Sequence, residues 1–229
     1  MERGKICVSL AGSDAAVISD KARQISDPPD VLEIRLDSMA VPEVEKCCSA
    51  LRSPLLFTNR PVWEGGAFSG TEEERVEPLL EAVHLQAAYV DLELRADLQL
   101  RNRLRSVMEN GPTRMILSWH DFESTPSAEV LSDVLRQMMD SGAHVGKIVT
   151  TAQSPEEVLR VLQLQEQAGK ADFPLSCFCM GEPGRISRLA TLYLGGYMTY
   201  ACLSDAQTTA AGQLSVRQVR KLTALLSQA

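Results

Sequence analysis

Lys147 is the residue of this sequence whose surroundings least suit its type. It lies inside A-H-V-G-K-I-V-T-T (residues 143–151), where Val145, Ile148 and Val149 are β-branched and apolar, with Ser141-Gly142 before and Ser154-Pro155 after. Such a run reads as a short buried strand. Burying an ammonium costs far more than burying an apolar chain, so a lysine there loses its proton easily. A neutral amine is a nucleophile that forms a Schiff base with a carbonyl. An edge-strand lysine, or one snorkelling to solvent, is the plainer alternative on this segment alone. His120, in S-W-H-D-F (residues 118–122), could shuttle protons near neutral pH. If adjacent strands carry the two residues, they lie about 5 Å apart in strand spacing. Glu93, in D-L-E (residues 91–93), could orient the imidazole from the strand before. Glu33, Arg35 and Asp37 alternate along E-I-R-L-D, and Arg60 and Glu64 follow in T-N-R-P-V-W-E-G-G. A strand's period of two puts the first three on one face. The arginines should help keep the amine neutral by like-charge repulsion. An apolar Lys147→Met should then keep the fold and gain stability.

Eight β-type runs could position these groups: residues 5–10, 31–36, 54–59, 89–94, 114–120, 144–150, 174–180 and 197–201. Helical periodicity fills the gaps at 15–25, 41–51, 74–85, 98–108, 128–139, from 154 onward, 185–194 and 216–226. This alternation points to a single-domain α/β fold over residues 1–229, a (β/α)8 TIM barrel. Its active site belongs at the C-terminal ends of the strands, where the charged residues fall. An open doubly wound sheet is the rival. It would want a Gly-rich phosphate loop, and Leu10-Ala11-Gly12-Ser13 is a poor one.

The balance of 45% hydrophobic and 23% charged residues is that of a globular domain. A net charge of −7, with no basic run, argues against nucleic acid as a partner. No apolar stretch is long enough to span a membrane, and the N-terminus lacks the apolar core of a signal peptide. The six cysteines show no metal-ligand spacing and read as reduced thiols of a cytoplasmic protein. Ligand-spaced histidines are missing as well, so neither a metal nor an organic cofactor is expected.

The blocks quoted above, together with S-W-H-D-F-E-S-T-P (residues 118–126), Lys147, M-G-E-P-G-R-I-S-R (residues 180–188) and Gly212-Gln213, resemble the type I 3-dehydroquinate dehydratases. These are Schiff-base enzymes of the shikimate pathway, which leads to the aromatic amino acids. The resemblance implies that Lys147 forms an imine with the C3 ketone of 3-dehydroquinate. His120 would be the general acid/base and Glu93 its orienting partner. Ser9, Glu33, Arg35, Arg60, Arg188, Thr209 and Gln213 would contact substrate, with Arg188 gripping its carboxylate. Phe122 and Met180 would form apolar walls, for which plain core packing is the alternative. A homodimer is implied too. Three departures stand out: Ala211 where the family's lid has proline, Thr209 where serine is frequent, and only four residues before the first strand where many members have a floor-closing hairpin. No shikimate dehydrogenase half is fused, so the chain reads as free-standing. A class I aldolase and a non-catalytic binding barrel are the competing readings. The acidic and guanidinium blocks favour a carboxylated polyol ring over the aldolase's sugar phosphate.

Overall fold

The computed structural model describes residues 3–204 and 212–227. Alternating strands and helices follow the sequence pattern closely. The strands are β1 (Lys5–Ala11), β2 (Val31–Arg35), β3 (Leu55–Thr58), β4 (Tyr89–Glu93), β5 (Arg114–His120), β6 (Val145–Thr151), β7 (Leu175–Met180) and β8 (Met198–Ala201). The helices are α1 (Ala15–Arg23), α2 (Val44–Ala50), α3 (Glu72–His84), α4 (Leu98–Met108), α5 (Ala128–Asp140), α6 (Pro155–Leu162), α7 (Leu164–Lys170), α8 (Arg185–Tyr193) and α9 (Val216–Leu226). All strand pairs are parallel, in the order β7-β6-β5-β4-β3-β2-β1-β8. The chain is a TIM barrel, and the open-sheet alternative falls. The ring is nearly closed. Across the β7–β8 seam Tyr197 N–H donates to Leu175 O at 2.8 Å and Met198 N–H to Ser176 Oγ at 3.1 Å.

The element ends have local causes. Ser127 accepts from Val130 N–H at the start of α5. Thr71 and Glu74 form a reciprocal capping box that starts α3 two residues before the apolar periodicity does. The segment from 154 onward makes two helices, α6 and α7, broken at Gln163.

The pleat sorts the side chains. Ile6, Val8, Ile34, Phe57 and Val90 point outward under the helices, each at zero exposure. Leu117, Ile148 and Cys177 do the same on the other half of the ring. Burying each such aliphatic or aromatic chain contributes roughly 1.5–3 kcal/mol, which holds the helical layer on the barrel. Inside, Val31, Leu56, Ile116, Val145 and Met198 fill the lower barrel. Tyr89 and Tyr197 meet edge-on with their hydroxyls 2.6 Å apart, and Arg114 Nη1 donates to the Tyr197 hydroxyl at 2.9 Å. These three side chains plug the floor, so apolar packing fills the bottom and the charged residues occupy the levels above.

Candidate active site

Above the apolar floor, the inward positions of β1 to β8 carry polar groups around one cavity open at the C-terminal end of the barrel. Its lining includes Lys147, His120, Ser9, Glu33, Arg35, Arg60, Arg188, Gln213, Phe122 and Met180, all expected from the sequence. Thr209 and Ala211 lie outside the described residues.

Lys147 is 5% exposed. Its Nζ donates to Asp91 Oδ2 at 3.1 Å, lies 3.9 Å from Glu33 Oε1, and sits 4.0 Å from the centroid of the Tyr200 ring. The arginine cluster expected to surround the amine is therefore not its nearest company; two carboxylates are. Glu33 also accepts from Thr58 Oγ1 at 2.8 Å. Asp91 is wholly buried, and burial pushes its carboxyl up. Arg60, Lys147 and the Ser118 hydroxyl overcome that effect and hold it below the usual carboxylate range.

His120 stands higher in the barrel than Lys147. The register pairs Ser118 with Lys147 and His120 with Val149, so the imidazole is one pleat nearer the mouth rather than level with the amine. Its orienting partner is Glu64, not Glu93. Glu64 Oε1 lies 2.9 Å from His120 Nδ1 and accepts from His120 N–H at 3.0 Å. Glu93 pairs in register with Ser118, two residues below His120. Both its oxygens are taken by guanidiniums, Oε1 by Arg60 Nη1 at 2.6 Å and Oε2 by Arg75 Nη1. Glu93 thus holds arginines in place and does not reach the histidine. The loop explains the difference. Gly65 adopts φ +75, and a Cβ on Gly66 would lie 2.0 Å from Arg60 O. That tight turn folds Glu64 back over the mouth. The E-G-G signal was in the sequence, but a strand's period places no loop residue.

The pair is electrostatically unusual. Burial raises Glu64 to about 8, with Glu93 and Asp91 adding to the rise and Arg60 opposing it. Burial also pushes His120 well below the ordinary 6.5, helped by the cations Arg60, Lys147, Arg35 and Arg188. Near neutral pH the two groups together hold a neutral imidazole and a carboxyl that gives up its proton only at about pH 8. That suits proton transfer in either direction. Phe122 stacks on the imidazole with centroids 5.7 Å apart and 13° between planes, although it is 46% exposed. Met180 is buried and forms the opposite kind of wall, continuous with the core.

The arginines divide the remaining work. Arg60 gives Nη1 to Glu93 and to Ser118 Oγ (2.5 Å) and Nη2 to Asp91 Oδ1 (2.8 Å), so most of its fork is bound within the barrel wall. Arg35 forms a two-pronged pair with Asp37 at 2.9 and 2.7 Å. Asp37 in turn accepts from Arg60 N–H and Ala67 N–H, pinning the loop that carries Glu64. Arg188, entering from α8, is 2% exposed with its Cζ 4.8 Å above the Phe178 ring. Burial lowers it to about 10, so it remains a cation at neutral pH. Ser9 Oγ, Glu64 Oε2 and Tyr200 OH are buried and have no hydrogen-bond partner among the described residues, yet all three residues line the cavity. Unpaired buried polar atoms cost about 1–3 kcal/mol each, and a polar ligand would satisfy them. Asp91 and Tyr200 had no assigned part in the sequence-based expectation; their strands were recognised, but the cross-barrel contacts were not.

The comparisons with known proteins bear on the family. A model described as type I 3-dehydroquinase matches residues 6–229. A curated 3-dehydroquinate dehydratase of Desulfotalea psychrophila is 47% identical over 220 residues, covering 96% of this chain and 97% of the relative. The structure of the Geobacillus kaustophilus 3-dehydroquinate dehydratase superposes with a TM-score of 0.89 at 30% identity, over 98% of this chain and 91% of that one. That of the Clostridium difficile type I enzyme, with covalently modified comenic acid, also gives 0.89, at 26% identity over 100% and 94%. The chain belongs to the type I 3-dehydroquinase family.

Proposed function

We propose that this protein is a hydro-lyase that dehydrates 3-dehydroquinate to 3-dehydroshikimate through a Schiff base on Lys147, with His120 as the acid/base. The observation that carries the reading is the buried Lys147 amine in the same cavity as the His120–Glu64 pair. The amine attacks the C3 ketone. The carbinolamine loses its oxygen as water with a proton from His120 Nε2, while Nδ1 takes the Glu64 proton in exchange, leaving a cationic imine. The final hydrolysis returns that proton to the pair. His120 then removes a C2 proton, and the C–H electrons pass into the imine to give an enamine. Their return expels the C1 hydroxyl, which leaves as water with the proton that His120 gives back. Hydrolysis of the conjugated imine restores the amine and releases the enone. Because the imine is itself the electron sink, the reaction calls for no metal or organic cofactor.

Glu64 holds Nδ1, which leaves Nε2 to transfer protons. Arg188 is suited to grip the substrate carboxylate with paired charge-assisted bonds. Ser9, Glu33, Arg35 and Gln213 face the polyol ring, joined by whatever hydrogens Arg60 keeps free, and Phe122 and Met180 close the apolar side. Thr209 is assigned to the same ring by resemblance. Residues 1–229 act as one catalytic domain. The six unpaired cysteines, five of them buried, fit a reducing cytoplasmic compartment. A homodimer follows from the resemblance, and sedimentation would test it.

The mechanism is tested by adding borohydride while the absorbance of the conjugated enone carboxylate is followed. Reduction should stop turnover and add the ligand's mass to the peptide containing Lys147. Labelling of Lys5, Lys21, Lys46, Lys170 or Lys221 with Lys147 untouched would refute it. Activity abolished by a chelator and restored by one divalent metal would overturn the absence of a cofactor.

A further inference from the structure

Among the described residues a chain of alternating charges runs from the outside of the barrel to the amine. Glu72 of α3 pairs with Arg75 (2.7 Å), Arg75 with Glu93, Glu93 with Arg60, Arg60 with Asp91, and Asp91 with Lys147. Apart from partly exposed Glu72, these side chains are at most 6% exposed. Asp91 is where this chain meets the chemistry. Its Oδ1 accepts from Arg60 Nη2 and from Ser118 Oγ at 2.6 Å, which leaves Oδ2 aimed at Nζ. The Tyr200 ring face, negative by its quadrupole, lies against Nζ 4.0 Å away.

We propose that Asp91 is a further catalytic residue, the fixed counter-charge that keeps the imine nitrogen on Lys147 protonated. The proposal rests on the Schiff-base reading and adds a requirement to it. In that reaction the nitrogen carries a positive charge before C2 deprotonation, none in the enamine, and a positive charge again once the C1 hydroxyl has gone. Only the cationic imine draws the C–H electrons. An anion 3.1 Å from the nitrogen favours the cationic state at both stages without giving or taking a proton. Arg60 and Ser118 keep that anion from turning away or becoming protonated, and Glu93 and Arg75 keep Arg60 in place. Glu33, 3.9 Å from Nζ, is the weaker partner because the Thr58 hydroxyl already engages the same oxygen.

The test compares Asp91→Asn and Asp91→Glu with the wild-type protein. Cyanoborohydride, which reduces the protonated imine, is used in the presence of 3-dehydroquinate across a pH series, and kcat is measured in parallel. Loss of an adjacent opposite charge should move the basic midpoint of trapping and of kcat down by about 1–3 pH units in Asp91→Asn. Trapping and kcat above that midpoint should fall about 10- to 1,000-fold. Asp91→Glu keeps the charge and should keep the midpoint within one unit of wild type, even where kcat falls through misplacement. A merely structural role would lower the yield of folded protein or kcat and leave the midpoint where it was. Unmoved midpoints in Asp91→Asn overturn the proposal, as does a shift of more than one unit in Asp91→Glu. If Asp91→Asn does not fold, Asp91→Ser, which also removes the charge, is measured in its place and is judged by the same shift. Failure to label Lys147 in the wild-type protein overturns the Schiff-base reading itself, and that outcome is distinct from the other two.

Discussion

In an unfolded chain the Glu64 carboxyl titrates near 4.5, whereas in the barrel mouth burial holds it at about 8. Between those values the folded protein binds a proton that the unfolded chain has released. Stability therefore falls by about 1.4 kcal/mol for each pH unit across the interval. The favourable protonated state is fully present below pH 4.5 and is lost as pH rises through about 8, at a total cost of about 4–5 kcal/mol. Glutamine at this position has nearly the same shape, and its amide oxygen can still accept from His120 N–H, but it cannot ionise. In Glu64→Gln the stability relative to wild type should thus rise by about 3–5 kcal/mol between pH 5 and pH 9. Urea denaturation of both proteins at pH 5, 7 and 9 measures it, since ionisations not coupled to Glu64 cancel in the difference. The same variant should lose the pH dependence of kcat/KM near 8 and turn over slowly, because the ionised carboxylate no longer supports His120 as a base. Denaturation midpoints that run parallel from pH 5 to 9, within about 1 kcal/mol, would refute a buried, proton-holding Glu64.

Three further outcomes follow from the same geometry. Arg188→Ala should weaken 3-dehydroquinate binding by about 1.5–3 kcal/mol for each charge-assisted hydrogen bond lost, with little change in melting temperature; an affinity within twofold of wild type would remove the carboxylate clamp from Arg188. His120→Ala should still trap some substrate as an imine under borohydride but lose about 10²–10⁴-fold for each proton-transfer step, and a near-normal kcat would move the acid/base role elsewhere. Lys147→Met should abolish labelling and activity and, contrary to the expectation from sequence, destabilise the fold by about 1.5–3 kcal/mol, because it strips a charge-assisted bond from buried Asp91; a higher melting temperature than wild type would show that the amine is merely tolerated.

That reversal marks where sequence reasoning ran out. The barrel was legible because its signals are local: β-branched runs of strand length and helical periodicity between them. Lys147 was legible because a cation inside such a run is anomalous whatever surrounds it. The period of two also put Glu33 and Arg35 together on the cavity side, but Asp37, counted with them, lies past the end of β2 and turns back to bind Arg35. Periodicity does not say which acid meets which base across the lumen, and the partner of His120 was misassigned for that reason. Glu93 was on the adjacent strand, but Glu64 is delivered by a loop whose path depends on Gly65, Gly66 and the Asp37 anchor. Sign was misjudged around Lys147 for a similar reason. The arginines nearest in the motifs turn their forks to Asp37, Asp91 and Glu93, which leaves carboxylates to face the amine. The floor plug was invisible because Tyr89, Arg114 and Tyr197 each look unexceptional at a strand's start.

The seam between β7 and β8 gives the barrel a preferred line of breathing. Elsewhere in the ring each strand is laced to its neighbours by a ladder, six residue pairs long between β6 and β7, whereas among the described residues the seam is bridged by the Tyr197–Leu175 bond and the Ser176 hydroxyl. Local opening takes the route with the fewest bonds to break, so amide exchange in β8 should outpace that in β5 and β6. Met180 stands at the end of β7 and Gln213 beyond β8, on opposite banks of that line, with Arg188 on the helix between them. A ring-shaped ligand touching all three would rivet the two banks together. Occupancy would then be felt as a tightening of the whole cylinder, by an amount set by ligand concentration over its dissociation constant.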